Sequence, residues 1–185
     1  MLLPWPGGSG ADTLSIAHKG TGKPWLTLQS LAAVPLAAPR FAGYRIRRSV
    51  EPVEQADKSL PAGTYSRGDI LRVTLEVNAS ADMTWVVVAD PVPAGATILG
   101  NGLGRDSAIA SQGERDEGAA WPAYLARSLE SFSAYYEYVP SGMLKVQYTM
   151  RLNNAGTFSL PPTRVEAMYA PEIFGEAPNR PVRVQ

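Results

Sequence analysis

The sequence predicts an all-β protein, an antiparallel β-sandwich, and three observations predict it. Glycine and proline number 17 and 16 in 185 residues and punctuate the chain about every ten residues, the rhythm of strands joined by turns. Two long stretches, "ILRVTLEVNA" and "LKVQYTMRL", alternate apolar and polar residues with period two, which describes a strand with one face buried and the other wet. Between these punctuation marks there is little room for a long helix.

Taken in order, the first strand candidates are Leu14 to His18 and Trp25 to Leu31, on either side of a "GTGK" turn. Tyr44 to Val50 comes next. In residues 70–79, Leu71, Val73, Leu75 and Val77 oppose Arg72, Thr74 and Glu76, so the four apolar side chains should enter a core. Trp85 to Val88 reads as a core-crossing strand that Pro91 and Pro93 must end, because proline cannot donate to a ladder. Residues 100–120 are Gly-rich, polar and without period, and read as a long loop. After Pro122, "AYLARSLESF" spaces Leu125, Leu129 and Phe132 for one or two helical turns. Ser133 to Tyr138, Leu144 to Leu152, Thr157 to Leu160, Arg164 to Tyr169 and Val182 to Gln185 complete the strand candidates. Roughly seven to ten strands is a sandwich count.

Composition removes several classes of function. Lys plus Arg and Asp plus Glu both number 17, so charge makes no case for nucleic acid or an anionic membrane surface. There is no cysteine, so this chain carries no disulfide, thiolate ligand or cysteine nucleophile. The N-terminal "MLLPWPGGSG" lacks a charged n-region and a long apolar core, and no stretch approaches the ~20 apolar residues of a membrane span. The chain therefore reads either as cytosolic or as a piece of a longer exported protein, and the linker-like "LPWPGG" favours the second. A composition shift at "AAVPLAAPRFAG" divides residues 1–38 from a main body of residues 39–185.

The motifs that resemble chemistry have plainer readings. "GTGK" lacks the glycine spacing, the Ser or Thr and the helix of a phosphate loop, and Pro24 follows its lysine. "GNGLG" at 100–104 is not followed by a helical pattern. The lone histidine, His18, is the one possible triad base and sits at the end of a short strand candidate. "ERDE" at 114–117 is a solvated charge run, and "NAS" at 78–80 fits a glycosylation acceptor or a strand-end turn equally well. No catalytic group, metal ligand set or cofactor is expected. In "VEAMYAPE", strand parity puts Val165, Ala167 and Tyr169 on one face and Glu166 and Met168 on the other. If Tyr169 packs, Met168 projects outward from an edge strand ended by Pro171.

In succession, "PWLTLQSLAAVPL", "FAGYRIRR", "ADPVPAGATI" and "LKVQYTMRLNNAGTFSLPPTRVEAMYAPE" resemble the C-terminal region of bacterial α2-macroglobulins, over most of the chain except residues 100–120. The resemblance implies a macroglobulin-like β-sandwich over 39–185 and, in residues 1–38, the closing strands or linker of a preceding CUB-like domain. It implies a noncatalytic C-terminal module of a large protease-trapping inhibitor, periplasmic and often lipid-anchored, in which bait cleavage exposes a reactive thioester. The partners it implies are the thioester-bearing helical domain and the CUB-like domain of the parent chain, and the proteases the parent traps. In thioester-bearing members a Met and a Tyr on a loop of the last domain lie over the thioester; Met168 and Tyr169 match them. The rival expectation is a structural or adhesion sandwich whose exposed aromatics bind a protein partner.

Overall fold

The two alternating stretches become the longest strand pair of the computed structural model, which describes residues 13–29, 35–100, 114, 117–118 and 120–185. Among the described residues there are fourteen strands. They are β1 (Arg40–Ala42), β2 (Tyr44–Glu54), β3 (Thr64–Tyr65), β4 (Ile70–Ala79), β5 (Met83–Pro91), β6 (Thr97–Ile98) and β7 (Glu117–Gly118). There follow β8 (Tyr124–Arg127), β9 (Ser131–Val139), β10 (Gly142–Arg151), β11 (Gly156–Phe158), β12 (Thr163–Ala167), β13 (Ala170–Ala177) and β14 (Val182–Val184). The strands not expected are four pieces of two or three residues (β1, β3, β6 and β7), β8, and the eight-residue β13, whose Pro171 and Gly175 interrupt any strict alternation. No helix among the described residues is long and apolar enough to cross a membrane.

One sheet runs β1-β13-β12-β5-β9-β8 and a second runs β2-β4-β10-β6, with β7 also on β10. Both are antiparallel throughout; a small third sheet, β11-β14-β3, holds a parallel pair, β14 with β3. β4 and β10 pair without interruption from Ile70 opposite Arg151 to Ala79 opposite Gly142. That register turns Leu71, Val73, Leu75 and Val77 to the same interior as Leu144, Val146, Tyr148 and Met150, all buried. Val86 and Val88 of β5, Phe132, Ala134 and Tyr136 of β9 and Val165 of β12 belong to the same core cluster. The Phe132 and Tyr148 rings, one from each sheet, stack at 4.4 Å between centroids. Each aliphatic side chain so buried stabilises the fold by about 1.5–3 kcal/mol before entropy is counted.

The two layers are also joined by charge. Asp90 on β5 is fully buried and accepts from Arg48 Nε of β2 at 2.9 Å, from the Tyr148 hydroxyl of β10, and from Thr163 Oγ1 of β12. Burial, the largest single influence, would lower the Arg48 pKa, but the Asp90 carboxylate and Tyr148 together outweigh it and raise it. Burial first, and then the same carboxylate, lift the Tyr148 phenol well above its ordinary range. The carboxylate is well satisfied, whereas Arg48 Nη2 is buried without a hydrogen-bond partner among the described residues, so part of the desolvation cost of the pair is left uncompensated.

The chain passes from one sheet to the other at Gly43, between β1 and β2. Its φ of 96° lies in the left-handed region, and a Cβ there would meet Ile173 Cγ2 at 2.6 Å. Gly175 is excluded from growth for a related reason, since its Cβ would stand 2.6 Å from the Tyr44 carbonyl oxygen. Only glycine fits either position without a shift of its neighbours.

Several expectations are corrected. Residues 123–132 form no helical turn: β8 runs to Arg127 and β9 starts at Ser131. Ser128 makes the reversal between them, its backbone N–H donating to the Ser131 carbonyl at 2.9 Å and its Oγ accepting from the Ser131 N–H at 2.9 Å. Leu129, the residue meant to share an apolar face, is exposed at that turn. Within the expected loop 100–120, Glu117 and Gly118 pair with Lys145 and Leu144; residues 101–113, 115–116 and 119 lie outside the described residues. Leu14 to His18 and the described part of Trp25 to Leu31 are not strands, because a strand needs a ladder partner and none is present there among the described residues. The chain divides into two compact units, Met1–Val34 and Pro35–Gln185. In the first, residues 13–29 are all exposed.

Candidate functional site

β12 carries Val165 and Ala167 into the core and stops there. Ala167 pairs with Ala170, so Met168 and Tyr169 are the two central residues of a tight β-hairpin. A two-residue turn breaks the in-and-out parity of a strand, and the expected arrangement with Tyr169 packed inward is corrected: Tyr169 is 81% exposed and Met168 45%. Pro171 does not end a strand either. It lies just past the turn in β13, within residues 171–173, which are skipped between the pairs Ala167 with Ala170 and Glu166 with Phe174. Its missing N–H costs no ladder bond there.

Trp85 of β5 supports this hairpin. Its carbonyl accepts the Met168 N–H at 2.7 Å, and its ring meets the Tyr169 ring edge-on, 6.3 Å between centroids at 87°. Among the described residues Trp85 is the one non-glycine with positive φ, 54°. It was expected inside a core-crossing run; Val86 and Val88 are buried, whereas Trp85 is about half exposed. No sequence signal marks its conformation, since left-handed backbone is advertised by Gly or Asn and a bulky aromatic there is an outlier.

The hairpin belongs to one end of the sandwich. The β4–β5 turn (Ser80–Asp82), the β9–β10 turn (Pro140–Ser141), the Met168–Tyr169 turn and the Gly43 crossing all fall there by register. Phe41, Tyr138 and Met143 add exposed apolar surface close to these turns. The polar groups at this end are mostly occupied with each other. Ser80 donates from its N–H and its hydroxyl to the Gly43 carbonyl. Asp82 accepts from the Tyr138 hydroxyl at 2.6 Å and the Ser141 N–H at 2.8 Å, and the Tyr138 bond, then Ser141, hold its carboxyl below the usual range. Arg45 lies over the Phe41 ring at 5.1 Å and Asn78 donates to Met143 sulfur at 3.1 Å. An end of rings and thioethers, with Asp82 held by neutral donors and Arg45 laid over a ring, suits contact with an apolar surface.

No group of three or more His, Cys, Asp or Glu that could hold a metal is found among the described residues. His18 is exposed, in residues 13–29.

The fold and this end define an antiparallel β-sandwich module with an apolar contact end. The chain belongs to the family described as bMG10, Bacterial Alpha-2-macroglobulin MG10 domain, whose model matches residues 43–172. It is 30% identical over 166 residues to an Alpha-2-macroglobulin of Pasteurella multocida, covering 86% of this chain and 8% of that protein. An Alpha-2-macroglobulin homolog of Nostoc sp. is 28% identical over 146 residues, 74% of this chain and 7% of that protein. The chain thus spans a tenth or less of the length of the curated relatives it matches. Native alpha-2-macroglobulin from Escherichia coli, spanning domain MG7 to the C-terminus, shares the fold with a TM-score of 0.62 at 22% identity, over 82% of this chain and 25% of that one. Salmonella alpha-2-macroglobulin reacted with methylamine gives 0.60 at 23% identity, over 80% and 9%.

Proposed function

We propose that this chain is a noncatalytic module of a bacterial α2-macroglobulin-like protease inhibitor, and that Met168 and Tyr169 shield a thioester on the helical domain of the parent chain. The observation that carries the reading is the placement of both side chains at an exposed turn on the apolar end of the sandwich, inside the part of the chain that matches the family. An activated acyl group survives only where water is excluded, and an aromatic ring with a conformable thioether can close a small apolar site. Relatives support the setting: one from Salmonella was reacted with methylamine, and others from Escherichia coli were activated by trypsin and by porcine elastase.

In this reading the partners are the thioester-bearing helical domain, a CUB-like domain contributing residues 1–38, and the proteases trapped by the parent. The parent is exported to the periplasm, in many members on a lipid anchor. The cap must also come off, so its contact area is modest and bait cleavage shifts a two-state equilibrium by differential contacts. The test is Tyr169→Ala in the full-length parent, followed by free-thiol release and methylamine uptake before any protease is added. Both should rise about tenfold, equivalent to about 1.4 kcal/mol of lost cap closure. Unchanged rates, or a parent that takes up no amine at all, overturn the shielding role.

A further inference from the structure

Resting on the shielding reading, we propose that Trp85 is a positioning residue of the cap, holding Met168 and Tyr169 in the conformation that docks. Three observations converge on it. Its backbone, at φ 54°, occupies a region that a bulky aromatic enters only when its surroundings impose it. The distortion is local, because Thr84 and Val86 on either side remain in register with Tyr138 and Tyr136 of β9. The β5–β12 ladder ends at Val86 opposite Ala167, and the bond from Met168 N–H to the Trp85 carbonyl carries it one step further, into the turn.

The ring does the complementary work. Tyr169 is 81% exposed, and its ring meets the edge-on Trp85. Without that contact a side chain at a turn tip samples several rotamers, and docking must then order it. Trp85 therefore prepares the cap before the helical domain arrives, gripping Met168 by its backbone and Tyr169 by its ring.

Glycine separates these two grips, since it adopts positive φ freely and so keeps the carbonyl in place while deleting the ring. In the full-length parent, Trp85→Gly should retain the melting temperature to within about 3 °C, yet raise protease-independent methylamine uptake about two- to tenfold, the range an edge-to-face contact supplies. Trp85→Phe should restore uptake to near the parental rate. The double variant Trp85→Gly with Tyr169→Ala should be no faster than Tyr169→Ala alone, because the ring acts through Tyr169. Parental uptake in Trp85→Gly, or a double variant in which the two effects multiply, overturns the positioning role. The second outcome is also what a general loosening of the fold would give. If Tyr169→Ala is itself silent, the shielding reading falls; if Tyr169→Ala is fast and Trp85→Gly is silent, only Trp85 loses its role.

Discussion

Asp90 gathers more of the molecule than any other polar side chain described. Arg48, Tyr148 and Thr163 all donate to it, from three strands in two sheets, so Asp90→Asn would leave the Arg48 guanidinium buried without its counter-charge. That should cost about 3–5 kcal/mol, read as a lower urea midpoint with an unchanged slope. Tyr44 makes the opposite case. It is buried, and its hydroxyl has no hydrogen-bond partner among the described residues. Tyr44→Phe should therefore leave stability unchanged or raise it by about 1 kcal/mol in the same titration. None of this was readable from the sequence. An aspartate one residue before Pro91 looks like ordinary strand-end polarity, and the partners that make it a hub lie far away in the chain.

Among elements, the strands with long, strict alternation were legible and the turns were not. β4 and β10 could be written down from "ILRVTLEVNA" and "LKVQYTMRL" because period-two burial leaves a direct trace in residue order. β8 and the start of β9 were obscured because Leu125, Leu129 and Phe132 satisfy a helical spacing while Ser128 makes a reversal between two strands. The Met168–Tyr169 turn carries none of the usual turn residues, so parity was extended through it, one residue too far for Tyr169 to be placed correctly. Its Met and Tyr were singled out by resemblance; its geometry came from pairing with Ala170 and from Trp85. The glycine at the β13 crossing point offers an element-scale test. Gly175→Ala would push a Cβ to 2.6 Å from the Tyr44 carbonyl, and forcing β13 away from β2 should cost about 1–3 kcal/mol, visible as a drop in melting temperature.

At the scale of the whole molecule, the alkaline limb of stability reports the buried phenols. Burial raises the Tyr44 pKa to about 12, above the ordinary phenol value near 10. The folded state thus holds a proton that the unfolded state gives up. The resulting stability is complete below about pH 10 and is lost as pH rises through about 12. Tyr148 acts in the same sense. Melting temperature followed from about pH 9 to about pH 12, across the phenol range, should fall steeply, and Tyr44→Phe should flatten part of the fall.

The bond between Trp85 and Met168 also bears on when the molecule becomes competent during its own synthesis. β5 emerges from the ribosome well before the β12–β13 hairpin, and β9 and β10 must be laid beside their partners in the interval. Contacts of such long sequence separation form late. The Met168–Tyr169 turn is therefore completed late, after the β4–β5 and β9–β10 turns that share its end. A chain released before β13 would hold most residues of the sandwich core and still lack the closed Met168–Tyr169 turn, because Ala170 and Phe174 would not be there to pair with Ala167 and Glu166.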